Sequence, residues 1–314
     1  MMHLVHERSP AAVDGGRDAG GPGVDGAAGA VNPAGALPAG LSQGSNRLTY
    51  VLRQRFSYAY DAPVRDLDHR LIVVPPSQHG DQRRLKHSVT VTGVDARAVS
   101  RRDAAGNLVT RARVALVPER VEFLVEAVVE RSGPGSDELL PASALTDPRM
   151  LLPTRLTEAD ESLRRLAGEL AEADPVATAA RYCDYVHETI TYEFGATSIF
   201  TTAAEAHAGR RGVCQDSAHV MLALCRAAGR PARYVSGHLL GEGGTHAWVE
   251  VIVPDPAGAR AVAFDPCNGR RAGLDYLTIA TGRDYTDVAP TSGTYTGAAQ
   301  GTLTASKQVD VAAG

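Results

Sequence analysis

Three residues stand in an order, and in local contexts, that suit acyl chemistry. Cys214 follows Arg211-Gly212-Val213, a glycine turn, and opens an apolar helix running to about Ala228. A helix N-terminus offers unpaired backbone N–H groups and a partial positive charge, and both favour a thiolate over a thiol. His246 opens a strand in Thr245-His246-Ala247-Trp248, and Asp265 closes the next one in Phe264-Asp265-Pro266. A thiol attacks an amide or ester carbonyl well only when a base takes its proton and a third group orients that base. Cys214 is the candidate nucleophile, His246 the base and Asp265 the orienting carboxylate. The start of one antiparallel strand lies beside the end of its neighbour, so His246 and Asp265 are expected together at one sheet edge. The helix start would pack above them, and the Cys214 N–H would contribute to an oxyanion hole.

Each residue alone has a plainer explanation: a core thiol, a packed histidine, an Asp-Pro turn. Their combination is what points to catalysis. Cys214, His219 and Cys225 share one helix, but their spacings turn them to different faces, unlike the i, i+4 pairing of helical zinc ligands. No metal and no cofactor are therefore expected, and His219 reads as a core histidine. Asp216, in the first helical turn, complements the helix dipole.

The elements that must position these residues differ between the two halves of the chain. Up to about Ser45 the sequence is dominated by Gly, Ala and Pro, so residues 1–46 read as disordered. Leu48, Tyr50 and Leu52 and, after a slip, Phe56 and Tyr58 mark a half-buried strand ending at Asp61-Ala62-Pro63. Further strands are expected at Arg70–Val74, Leu85–Thr92, Ala98–Arg102, Leu108–Val114 and Val121–Val129, with a hairpin at Ala105-Gly106-Asn107. Helical periodicity is nearly absent, so residues 47–131 read as a β-sandwich. A linker, 132–156, follows. The second half, 157–314, opens with helices. Thr157 precedes an amphipathic stretch to Ala173, Asp174-Pro175 starts a helix to about Ile190, and a short one lies near Ala203–Ala208. Strands follow at Arg233–Leu239, His246–Val253 and Ala261–Asp265, with a last one at Gly301–Val311. Helices before an antiparallel sheet make this half α+β.

The sequence is similar to a known family. Gly212-Val213-Cys214-Gln215-Asp216, Tyr234-Val235-Ser236-Gly237, His246-Ala247-Trp248-Val249-Glu250, Asp265-Pro266 and the later Gly282–Pro290 stretch resemble the bacterial transglutaminase-like superfamily, a branch of the papain-like thiol enzymes. The stretch Tyr50–Arg131 resembles the β-domain that precedes this core in one bacterial subgroup. The resemblance implies an α+β chain: an N-terminal β-sandwich followed by a papain-like transglutaminase core, helices packed on an antiparallel sheet. It also implies a Cys-His-Asp triad at Cys214, His246 and Asp265 acting on amide bonds, with Gln215 and Trp248 at family positions that shape the acyl site. Two positions depart from the family pattern. Ser217 stands where a large aromatic is usual, and Cys267 stands where threonine is expected.

The expected activity is hydrolysis of peptide or isopeptide bonds through a thioester acyl-enzyme. Acyl transfer to an amine and a non-catalytic scaffold are the alternatives. A net charge of −4 gives no reason to expect nucleic acid or an anionic membrane as partner and selects no other; the peptide or protein substrate is what the resemblance implies. The hydrophobic share of 44% and charged share of 22% are those of an ordinary globular protein. The N-terminus lacks a basic-then-apolar leader, and the four cysteines form no CxxC pair, so a reducing cytoplasm is the expected compartment.

Overall fold

The computed structural model describes residues 2–6, 47–132, 137–241 and 243–313. The expectation of disorder over 1–46 falls outside these residues, except that Met2–His6 forms a strand paired antiparallel with 292–296.

Six strands lead the described chain: β1 (Arg47–Tyr60), β2 (Val64–Val74), β3 (Gln82–Thr92), β4 (Arg97–Arg102), β5 (Leu108–Val117) and β6 (Arg120–Ser132). Period-2 alternation is strict along β1, whose Leu48, Tyr50, Leu52, Gln54, Phe56, Tyr58 and Tyr60 all turn inward. The apparent slip in the apolar pattern is Gln54. It stays on the buried face because its Nε2 donates to the Val73 carbonyl at 3.2 Å, and the strand runs on unbroken.

Two strands from the end of the chain complete this unit: β12 (Thr291–Thr296) and β13 (Gly301–Ala313). One sheet runs Met2–His6, β12, β2, β5, β4, and the other β13, β1, β6, β3 and the short Gln78–His79 pair. The sandwich expected over 47–131 thus also contains residues 291–313, and the core is correspondingly shorter than 157–314. Phe56, Tyr58, Leu67, Leu71 and Phe123 fill the space between the sheets.

The core opens with β7 (Glu138–Leu140), then α1 (Glu161–Glu169), α2 (Pro175–Thr189), α3 (Ala203–Gly209) and α4 (Cys214–Ala227). Its sheet follows as β8 (Ala232–Leu239), β9 (His246–Asp255), β10 (Gly258–Asp265) and β11 (Tyr276–Gly282). The order is β10, β9, β8, β11, antiparallel throughout, with β7 on the outer side of β10. Residues Gln215 to Arg226 are buried without interruption, because α4 runs between this sheet and α1, α2 and α3.

Sandwich and core meet along β11. Its outer edge is taken by two amide side chains from the sandwich. Gln82 exchanges hydrogen bonds with the backbone of Thr278 at 2.8 and 2.9 Å, and Asn107 does the same with Thr281 at 2.8 and 2.9 Å. Each amide imitates the donor–acceptor pair of a neighbouring strand, so the edge is satisfied without one. Leu48, Tyr50 and Leu52 belong to the apolar cluster of the core rather than to that of the sandwich. A buried ionic cluster also spans the junction. Glu250 of β9 accepts from Arg233 of β8 and from His79, both at 2.7 Å, and Glu138 bonds to the same guanidinium. Burial would raise the Glu250 carboxyl, but Arg233 and then His79 hold it down at about 2.

Candidate active site

The site is built from one helix start and the ends of two adjacent strands. Gly212 and Val213 lead into α4. A Cβ on Gly212 would lie 2.6 Å from the Asp216 carboxylate, which is why glycine stands there. Asp216 Oδ2 accepts from the Val213 backbone N–H at 2.8 Å and from the Thr197 hydroxyl at 2.6 Å. Burial raises the Asp216 carboxyl, against these hydrogen bonds. Asp216 therefore fastens both the helix start and the loop before α3, which gives it a structural role. Cys214 is half-buried at the first helical position, with its N–H in the turn that has no intrahelical acceptor.

Val249 pairs with Phe264, and along this register His246 of β9 reaches the end of β10. His246 Nε2 donates to Asp265 Oδ2 at 2.7 Å, with both side chains buried. Nδ1 is the ring nitrogen left for Cys214, whose side chain hydrogen-bonds to this histidine. Burial by itself would lower the His246 imidazole. The hydrogen bonds to Asp265 and Cys214, together with their charges, outweigh it and lift the group well above the usual histidine range. Asp265 moves the other way: burial raises it, and the His246 bond and charge, then Asn268 and Tyr276, bring it below the usual carboxylate range. The two shifts have one cause: the buried His246 and Asp265 each favour the charged form of the other, beside Cys214.

Asp265 receives more than the histidine. Oδ2 also accepts from Asn268 Nδ2 at 2.7 Å and the Tyr276 hydroxyl at 2.6 Å, and Oδ1 from the backbone N–H groups of Cys267 and Asn268 at 2.9 and 3.2 Å. With its lone pairs engaged, the carboxylate is fixed and stays ionised. Asn268 and Tyr276 are site residues that the sequence reading passes over. Asn268 carried one signal, its place three residues past the aspartate in an Asp-Pro turn. Tyr276 carried none, because β11 brings it in from the far side of the sheet.

The remaining candidates take supporting positions. Trp248 is 1% exposed, near-parallel to His246 with ring centroids 6.2 Å apart and edge-on to Tyr276 at 5.2 Å. It packs against the imidazole. A Cβ on Gly237 would fall 2.4 Å from its ring, so that glycine is what lets the indole lie against β8. Gln215 is buried in the first turn of α4 beside the thiol, and Ser217 is buried behind it. His219 is fully buried and accepts from the Tyr285 N–H at 3.2 Å, a packing role; burial lowers it to about 4. Burial pushes the thiols of Cys183 and Cys225 up to about 12, which leaves neither with nucleophilic character. Cys267 is half-buried, and its backbone serves Asp265.

The chain is similar to known families and structures. Residues 164–266 match the transglutaminase-like superfamily, and residues 50–130 match the bacterial transglutaminase-like N-terminal region. An uncharacterized protein of Mycobacterium tuberculosis is 28% identical over 275 residues, covering 78% of this chain and 86% of the relative. One from Mycobacterium leprae is 35% identical over 144 residues, covering 43% of this chain and 49% of the relative. Among solved structures, "a Putative Cysteine Protease from Cytophaga hutchinsonii" is similar with a TM-score of 0.67 at 24% identity, covering 85% of this chain and 91% of that one. That likeness establishes the shared fold.

Proposed function

From the premise that this chain is a member of the transglutaminase-like superfamily, its core preceded by the bacterial N-terminal region, we propose that it hydrolyses peptide or isopeptide amide bonds through Cys214. The observation that carries this reading is the buried His246–Asp265 pair turned toward a thiol at a helix start. In the reaction, Cys214 Sγ passes its proton to His246 and attacks the carbonyl carbon, and the oxyanion is received by the Cys214 N–H. His246 gives its proton to the departing amine as the C–N bond breaks, leaving a thioester. Water then attacks that carbonyl as His246 takes a proton from it, and His246 returns that proton to Cys214 Sγ as the C–S bond breaks, restoring the thiol. Asp265 keeps the imidazole in one orientation and stabilises its charged form.

The loop that precedes α3 supports a polypeptide as substrate. Tyr192, Phe194 and Phe200 are all at least half exposed there, and Thr197 ties the loop to the helix start through Asp216. Exposed aromatics beside a nucleophile supply the apolar contact that a peptide side chain needs. A reducing cytoplasm is part of the proposal, since the nucleophile must remain a free thiol.

Trapping with an electrophilic peptide, read by mass spectrometry, tests the reading. Rapid modification of Cys214 in the wild type and slow modification in His246→Ala are expected. Equal, slow labelling of both would remove the activated pair. Adding a labelled primary amine to an acyl donor separates the outcomes: hydrolysis leaves the label free, and acyl transfer incorporates it.

A further inference from the structure

The solvent face of the sheet built from β2, β5 and β4 is crowded with arginine. Alternate residues of a strand share a face, which places Arg97, Val99 and Arg101 of β4 beside Val109, Arg111 and Arg113 of β5. The register sets Arg97 directly opposite Arg113, and on the other side of β5 it sets Arg70 opposite Arg111. Like charges in directly opposed positions weaken a sheet. The face forms an open cleft of about 610 Å³ lined by these five arginines and Arg102, with Asp103 as the one acidic lining residue among the described residues. Asp68 at the margin pairs with Arg111 and, at 3.4 Å, with Arg113. Arg70 donates to the Asp287 carbonyl at 3.1 Å and Arg102 to the Ser77 hydroxyl at 2.7 Å. Among the described residues Arg97 and Arg101 have no acidic partner.

Two plain explanations fall short. The chain as a whole carries −4, so a concentration of positive charge on one face does not follow from composition. Basic residues do protect an exposed edge strand from self-pairing, and β4 is an edge strand. That accounts for Arg97 and Arg101, but Arg70, Arg111 and Arg113 belong to interior strands of the same sheet.

We infer that this cleft binds an acidic polypeptide segment in extended form. Arginine forks pair bidentately with carboxylates. Among the described residues the outer backbone edge of β4 is unpaired, which lets an extended chain add as a further strand while its carboxylates reach the arginines. Among the described residues the apolar lining of the cleft is Val99 and Val109, with no aromatic platform of the kind that holds single-stranded bases. The cleft lies on a different sheet from the triad, so its occupancy is separable from the chemistry at Cys214.

Fluorescence anisotropy of a labelled glutamate-rich peptide with the full chain tests this. Binding at low salt is expected, weakening as salt rises and absent for a glutamine-rich peptide of equal length. Arg97→Glu/Arg101→Glu should weaken binding about ten-fold or more, and Arg165→Glu, on an exposed helix face, should leave it unchanged. Circular dichroism and the rate of Cys214 alkylation verify the fold; if the double glutamate variant is unfolded, Arg97→Gln/Arg101→Gln must weaken binding in the same direction. Undiminished binding in the folded variant, or tighter binding of a single-stranded oligonucleotide than of the acidic peptide, overturns the inference.

Discussion

Cys214, His246 and Asp265 were legible in the sequence because the chemistry admits few residue types, and each sits where an element begins or ends. What completes the site was not legible. Asn268 and Tyr276 act through Asp265, and nothing in their spacing distinguishes them from turn and core residues. Trp248 shows the converse, a motif residue that serves the imidazole from behind. The raised His246 and lowered Asp265 give a pH dependence whose sign can be worked out. The imidazolium's contribution to stability is complete below about pH 6.5 and is lost as pH rises through its elevated folded value. Asp265's contribution is present above about pH 3.9 and is lost as pH falls through its depressed value. In the proposed reaction the imidazolium is also the general acid, so the alkaline limb of kcat/KM should lie well above pH 6.5. Asp265→Asn should move that limb to lower pH and reduce kcat by about 10³–10⁴-fold. A pH–rate profile of the two proteins decides: an unmoved limb would mean that Asp265 does not hold the imidazolium.

Elements with a clear period were read well, and those without one were not. Strict alternation marked β1, and only the inward Gln54 interrupted the pattern. Over β11 the residues from Tyr276 to Thr281 are all buried, so no alternation marks the strand, and its partners lie far away in sequence. The same limit hid the role of Glu250, which closes a family motif yet anchors β9 to the sandwich through His79 and to β8 through Arg233. Removing Arg233 would leave that carboxylate buried and without its main cation. Arg233→Ala should therefore cost about 3–5 kcal/mol in urea unfolding at neutral pH. The depressed Glu250 contributes stability above the ordinary carboxylate range, and this is lost as pH falls toward about 2. The deficit of the variant should accordingly narrow as the pH is lowered, since a protonated Glu250 needs no cation. A deficit that stays constant from pH 7 to the acid range would assign the loss to packing instead.

At the scale of the molecule, sandwich and core are not consecutive halves. β12 and β13 return from the end of the chain to flank β2 and β1, pairings that join residues more than two hundred apart in sequence and so leave no local pattern. The sandwich is coupled to the core at several levels. Leu48, Tyr50 and Leu52 pack into the core's apolar cluster, and Gln82 and Asn107 close the edge of β11, whose Tyr276 bonds to Asp265. Support for the triad therefore runs from the last strands through the sandwich to the sheet that carries it. Ending the chain at Pro290 should strip β1 and β2 of their outer neighbours and expose two long strand edges. Loss of several kcal/mol follows, a fall in Tm of about 10 °C or more for a protein of this size, together with aggregation. Thermal unfolding by circular dichroism and size-exclusion chromatography read both. A shortened chain that melted at the wild-type temperature and still labelled Cys214 in a His246-dependent way would show the core to be independent of the sandwich. The edge contacts at Gln82 and Asn107 argue that it is not, because a core alone would leave the backbone of Thr278 and Thr281 without those partners.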